Sequence, residues 1–165
     1  MKLNEILSKP NGTFVGARFT DKTKNQLRKY LYDNNIPNPI NPNEVHTTIV
    51  YSRKHLPTFT PRGMFANPYL GTPTNFELFT SKPDMFKSYS SNALVLRFDS
   101  PELTKRHNEI RNNFGATHDY DEYKPHITLS YDAGDFDIDS IPMYDKPLEV
   151  NEEYSQDLQI DWNKK

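Results

Sequence analysis

Two short stretches decide the fold: Val45-His46-Thr47-Thr48-Ile49-Val50-Tyr51 and Pro125-His126-Ile127-Thr128-Leu129-Ser130-Tyr131. Each reads His-x-Thr, followed by an aliphatic residue and, two further on, a tyrosine. Residues two apart on a β-strand point to the same side. His46 with Thr48, and His126 with Thr128, therefore each present an imidazole and a hydroxyl on one face. Thr47, Ile49 and Tyr51, like Ile127, Leu129 and Tyr131, are expected to face the other way and anchor the strand in a core. A single such strand is usually structural, whereas two in one small chain predict a paired acid–base site.

The surroundings of the two motifs repeat. Ala17-Arg18-Phe19-Thr20 precedes the first and Leu96-Arg97-Phe98-Asp99 the second, with the arginines 79 residues apart and the histidines 80. Between strand and motif each half carries one helical stretch. The first is expected from Thr20 or Asp21 to Asp33, with Leu27, Tyr30 and Leu31 at helical spacing and Asn34-Asn35 as a stop. In the second, Ser100 is the N-cap, Pro101 the first helical residue, Leu103, His107, Ile110 and Phe114 the apolar series, and Gly115 the C′ glycine. The expected fold is α+β: two pseudo-symmetric lobes, over about residues 13–52 and 93–131, with antiparallel sheets forming a central cleft and helices packed outside. Further strands are expected at Asn75–Thr80, Ala93–Phe98 and between Leu148 and Ile160. The proline-rich stretch Arg53–Tyr69 lacks periodicity and is a candidate lid.

At 165 residues the chain is expected to form one domain over its whole length. Ten tyrosines and ten phenylalanines argue against disorder despite a modest aliphatic content. The absence of cysteine excludes disulfides and thiolate metal sites. No apolar stretch is long enough for a signal peptide or a membrane span, so a cytoplasmic location is expected, without a membrane partner. The formal net charge is −2 and the basic residues are scattered, which excludes a protein that grips long nucleic acid along its backbone. A phosphate substrate would be small and held in a cleft.

Two imidazoles across a phosphodiester can divide the chemistry, one taking a proton from a nucleophile while the other gives one to the leaving oxygen. A hydroxyl two residues along each strand can donate to a non-bridging phosphoryl oxygen, where charge builds. The scheme requires no metal or other cofactor. With a ribose 2′-hydroxyl beside the scissile bond, the first product is a 2′,3′-cyclic phosphate. A zinc site made from His46, His126 and an acid is the alternative, but no His-x-x-x-His or close acid spacing supports it.

These paired motifs, their separation and the duplicated strand–helix–strand unit resemble the 2H phosphoesterase superfamily over about Thr13–Tyr131. Within it the chain is most similar to the phage anti-CBASS nucleases, which degrade the cyclic oligonucleotide signals of bacterial immunity. Met1–Ser8, Asn11-Gly12-Thr13 and Val15-Gly16-Ala17-Arg18-Phe19 contribute to that narrower likeness. The resemblance implies metal-independent cleavage of 3′–5′ bonds in cyclic di- and trinucleotides, in the host cytoplasm if phage-encoded, by a monomer or weak oligomer. By position, His46 and His126 are the catalytic pair and Thr48 and Thr128 the phosphoryl-oxygen donors. Near-symmetry of the halves leaves base and acid unassigned.

For the nucleobases, Phe14, Tyr120 and Tyr123 are candidate stacking rings, as is Trp162, with Glu153 (beside Glu152) as acceptor from a base edge and Lys124 as a phosphate contact. His107 is expected to pack on its helix, and His55 and His118 to lie solvated in loops. Alternative substrates are 2′–5′ oligoadenylates and 2′,3′-cyclic phosphate ends of RNA. A sponge that binds a nucleotide without turnover is the non-enzyme alternative, though it has no need of four intact His and Thr residues.

Overall fold

The computed structural model describes residues 10–81 and 91–159; Met1–Ser8 and Trp162 lie outside them. In chain order the elements are β1 (Gly12–Phe19), α1 (Asp21–Asp33), β2 (His46–Ser52), β3 (Gly63–Ser81), β4 (Ser91–Asp99), α2 (Pro101–Phe114), β5 (His126–Ser130) and β6 (Leu148–Leu158). Each half contributes strand, helix and His-x-Thr strand, as the repeat requires.

Both helices start and stop where their sequences dictate. The Thr20 side chain accepts from the Thr23 amide ahead of α1, and Asn34 closes it by donating from its backbone to the Tyr30 carbonyl. Asn35 follows in the left-handed region at φ 53°, which asparagine tolerates better than most residues. Ser100 caps α2 through the Leu103 amide, Pro101 occupies the first turn, and Gly115 ends it at φ 72°. Leu27 and Leu31 of α1, and Leu103, His107 and Ile110 of α2, recur at helical spacing and are buried against the sheet. They meet Val15, Ala17 and Phe19 of β1 and Leu94, Leu96 and Phe98 of β4 in one apolar core. The opposite face of the same strands carries Arg18 and Arg97, together with Phe14, Gly16 and Val95.

The strands form one antiparallel sheet in the order β2-β1-β6-β3-β4-β5. The halves are therefore joined edge to edge through β6 and β3 at the centre, and the two motif strands lie at its outer edges. Those edges meet. The Thr47 hydroxyl donates to the His126 carbonyl oxygen at 2.7 Å, and the Tyr123 hydroxyl donates to the Thr48 carbonyl oxygen at 2.7 Å. On the far side of β5, Pro39 bridges to Ser130 and the Ile40 amide donates to the Leu129 carbonyl at 2.8 Å. Each exposed edge is thus covered by a segment of the other half.

Two expectations are corrected. The stretch Arg53–Tyr69 is not a loop throughout, because β3 begins at Gly63 and pairs with Glu153 and Glu152 of β6. Only residues 53–62 connect, and Pro68 is tolerated because the β3–β6 register breaks between Met64 and Tyr69. Glu153 is not available to a base edge. Its side chain is fully enclosed and accepts from Arg106 Nε at 2.7 Å and from the second Arg106 guanidinium nitrogen at 2.9 Å. The Arg62 amide donates to the same carboxylate at 2.9 Å. Glu153 thereby ties α2, the start of β3 and β6 together.

Removing one partner of a buried ion pair strands the other charge. Glu153→Ala is expected to cost about 3–5 kcal/mol in denaturant unfolding, and Arg106→Met/Glu153→Leu distinctly less. A Glu153→Ala loss below about 1 kcal/mol would contradict this assignment.

Candidate active site

The alternation of β2 and β5 places the motif side chains as their sequences demand, up to the third residue past each histidine. His46 and Thr48 are half-buried and Thr47 and Ile49 buried; His126 and Thr128 are half-buried and Ile127 and Leu129 buried. There the pairing slips. On β1, Val15 opposes Val50 while Gly16 opposes Thr48, so Ile49 is left over. On β4, Leu94 opposes Ser130 while Val95 opposes Thr128, leaving Leu129 over. Each is a β-bulge, and each reverses the alternation beyond it. Tyr51 and Tyr131, expected in the core, are turned outward and are 38% and 58% exposed. Tyr51 joins Thr48 in lining the cleft. The unpaired carbonyls find partners from outside the sheet. The His107 Nδ1–H donates to Ile49 at 2.6 Å, and the Ile40 amide to Leu129.

Both catalytic candidates are oriented in the same way. His46 Nδ1 lies 2.9 Å from the Glu44 carbonyl oxygen, and His126 Nδ1 3.2 Å from that of Lys124. A carbonyl only accepts, so Nδ1 carries the proton in both rings and Nε2 is not engaged by these bonds. Each ring also meets an aromatic edge, Phe14 at 6.2 Å for His46 and Phe79 at 5.6 Å for His126. Burial holds the His126 pKa below its ordinary value, and the Arg97 cation and His46 push the same way against the opposing Lys124 carbonyl and Glu77.

Each histidine has an arginine opposite it on the neighbouring strand: Arg18 faces His46 and Arg97 faces His126. Directly opposed residues share a face of the sheet. Arg97 grips Glu77 through Nε at 2.9 Å and a terminal nitrogen at 3.2 Å, and donates to the Lys124 carbonyl at 3.4 Å. That carboxylate is held below the usual carboxylate range by this bond. Beside Arg18, Gly16 opposes Thr48 and Tyr154. A Cβ at Gly16 would come within 2.6 Å of the Tyr154 ring and 2.7 Å of Phe14, so only glycine lets these rings converge beside the motif.

The cleft on the second-motif side has a volume of about 1080 Å³ and is lined by Thr48, Tyr51, Tyr120, Tyr123, Lys124 and His126 among others. This is at the large end for a small-molecule site. Tyr120 is exposed there, and Lys124 is largely exposed beside it, 4.0 Å from the Glu122 carboxylate. Tyr123 is committed elsewhere. One face stacks on His107 at 4.2 Å and its hydroxyl holds the Thr48 carbonyl, so it braces the first motif. His118 is not merely solvated, since its ring packs on His107 at 4.6 Å. His55 lies 3.2 Å from the Thr13 hydroxyl. Among the described residues no three His, Asp or Glu side chains gather as a metal site, and no helix is long and apolar enough to cross a membrane. Sequence reasoning marked Arg18 and Arg97 only as register points. Their offset, almost that of the histidines, was the signal that they belong to the site.

An α+β sheet with one His-x-Thr strand at each edge and the edges drawn together defines a 2H phosphoesterase fold. The chain is similar to the crystal structure of E. coli LigT complexed with phosphate, with a TM-score of 0.55 and 16% identity over 94% of this chain and 92% of that one. A family model described as "Anti-CBASS protein Acb1" matches residues 11–165. Anti-CBASS protein Acb1 of Salmonella phage S16 is 34% identical over 98% of this chain and 96% of its own. That of Enterobacteria phage T4 is 34% identical over 92% and 91%. The chain belongs to the Acb1 family of anti-CBASS proteins.

His107 and His126 both have depressed pKa values, His107 mainly through burial. Below about pH 6.5 the unfolded chain binds protons that the folded one resists. Stability is therefore complete above that pH and falls as pH drops through the folded values, by up to about 1.4 kcal/mol per pH unit per histidine. Glu77 and Asp119, held below the carboxylate range, add to this only in more acid solution. Denaturant melts at pH 7.5 and 5.5 should show the loss, and His107→Gln should reduce it; equal midpoints for the unmodified chain at the two pH values would refute it.

Proposed function

We propose that this cleft cleaves a 3′–5′ phosphodiester of a small cyclic oligonucleotide signal, in phage counter-defence. The observation that carries the reading is the pair of imidazoles, delivered from opposite edges of one sheet, each fixed through Nδ1–H to a backbone carbonyl and each accompanied by a threonine hydroxyl. His126, kept neutral by burial and by Arg97, accepts the 2′-hydroxyl proton at Nε2. The 2′-oxygen attacks phosphorus, the bond from phosphorus to the 5′-oxygen breaks, and His46 delivers the proton that the departing oxygen needs. The products are a 2′,3′-cyclic phosphate and a free 5′-hydroxyl, so atoms and charge balance. Thr48 and Thr128 donate to the non-bridging oxygens, where negative charge grows in the transition state. Tyr51 and Tyr120 wall the cleft for a base, with Phe14 beside His46. Membership of the anti-CBASS family and the cleft's size favour a cyclic di- or trinucleotide over long RNA.

Turnover of 3′,3′-cyclic GMP–AMP in excess EDTA tests the reading. His46→Ala and His126→Ala should each lose about 10²–10⁴-fold in kcat, and Thr48→Val or Thr128→Val about 10–1000-fold. A substrate with sulfur in place of the 5′-leaving oxygen needs no general acid. It should restore His46→Ala by a hundredfold or more while leaving His126→Ala impaired. Restoration of His126→Ala instead would reverse the roles, and binding without turnover would leave a sponge.

A further inference from the structure

The two arginines beside the catalytic histidines are equivalent by position but not by bonding, and the difference identifies a second anion site. Arg97 spends its guanidinium: two hydrogen bonds to Glu77 and one to the Lys124 carbonyl leave its side chain 18% exposed. Arg18 does not. Its guanidinium carbon sits over the Tyr154 ring at 3.7 Å from the centroid, and it forms an ion pair with Glu152 at 3.4 Å. Among the described residues it makes no hydrogen bond, and its side chain is 41% exposed. A guanidinium held over a ring, with one ion pair and 41% of its side chain exposed, keeps donors available for bidentate contact with an oxyanion. It stands on the site face, directly across from His46.

We propose that Arg18 binds the non-scissile phosphate of a substrate with at least two phosphodiesters. This rests on the cleavage scheme above for its direction. His46 protonates the 5′-oxygen of the leaving nucleoside, so that nucleoside lies on the His46 side. In a cyclic dinucleotide its 3′-oxygen carries the second phosphate, and Arg18 is the cation paired directly across from His46. A 2′,3′-cyclic mononucleotide places no charge there. The arrangement thus selects cyclic oligonucleotides over the terminal 2′,3′-cyclic phosphates that the same catalytic pair could open. Tyr154 positions Arg18, and Gly16 gives Tyr154 room to do so.

The test is calorimetric binding to the His46→Ala/His126→Ala protein, which needs no turnover. Three ligands share one internucleotide linkage: 3′,3′-cyclic di-AMP, the linear dinucleoside monophosphate ApA, and ApAp, which adds back a 3′-phosphate. Arg18→Gln is expected to weaken cyclic di-AMP and ApAp by about 10- to 100-fold, at least tenfold more than it weakens ApA. Glu152→Gln, which removes the competing carboxylate, is expected to tighten cyclic di-AMP severalfold, the opposite of what loss of a structural ion pair would do. Equal losses on all three ligands would place Arg18 at the scissile phosphate and overturn the proposal. No loss on any, or no binding of cyclic di-AMP to the Arg18-containing protein, would overturn it as well. Absence of turnover by the unmodified chain, with the ligand ranking kept, would sink the cleavage scheme and leave Arg18 as a phosphate-binding residue.

Discussion

Everything at the site depends on two distant sheet edges being brought together, and the hydroxyl of Thr47 donating to the His126 carbonyl is where they join. β2 and β5 are separated by four intervening strands, so no backbone ladder between them sets the spacing of the histidines. Their proximity comes from side chains that cross the junction: Thr47 in one direction and Tyr123, donating to Thr48, in the other. Each such bond is worth only about 1 kcal/mol net. Both, however, end on the backbone of a motif residue, so each fixes a motif position directly. The buried core beneath makes the junction rigid, and the crossing bonds set its register.

The paired bulges are the second constraint. A plain strand would bury the tyrosine five residues past each histidine. By skipping Ile49 and Leu129 in the pairing, both strands turn that tyrosine outward while keeping two consecutive residues, Val50 and Ser130 included, in the interior. A bulge leaves a carbonyl to be satisfied, and a buried unsatisfied carbonyl is costly. In one half the partner is the imidazole of His107, in the other the amide of Ile40. The buried histidine on α2 is therefore part of how the first motif strand bends, and burial holds its pKa down against the opposing pull of its bond to Ile49.

The sequence carried what depends on local chemistry. The cap at Ser100, the helix start at Thr20 or Asp21, the stop at Gly115, the apolar spacing of both helices and the alternation of His46 to Ile49 were all legible, because each is fixed by a residue's own backbone preference or by periodicity. The family likeness was legible from the same two motifs. What was not legible depends on partners distant in sequence. Period-2 alternation cannot announce a bulge, so Tyr51 and Tyr131 were assigned to the wrong face. Glu153 looked like a candidate acceptor because its counter-charge, Arg106, is 47 residues away on a helix. The proline-rich stretch up to Tyr69 hid the start of β3, since Pro68 falls where the pairing is already broken.

A duplicated unit is a poor acid–base catalyst if its copies stay identical, because one imidazole must be neutral while the other holds a proton. The departures from symmetry bear on this requirement. Glu44 and Lys124 occupy the same position relative to the two histidines, and the carbonyl of each receives the imidazole proton. Only Lys124, however, also receives Arg97, so a fixed cation is locked beside His126. Its opposite number, Arg18, is drawn onto Tyr154 and away from such a bond. The small residue at the pseudo-equivalent strand position permits this: Gly16 opposes Thr48 where Val95 opposes Thr128. A side chain at Gly16 would displace the Tyr154 ring that holds Arg18. One glycine-for-valine difference between the halves thus accompanies an arginine bonded to Glu77 and the Lys124 carbonyl and one laid over Tyr154.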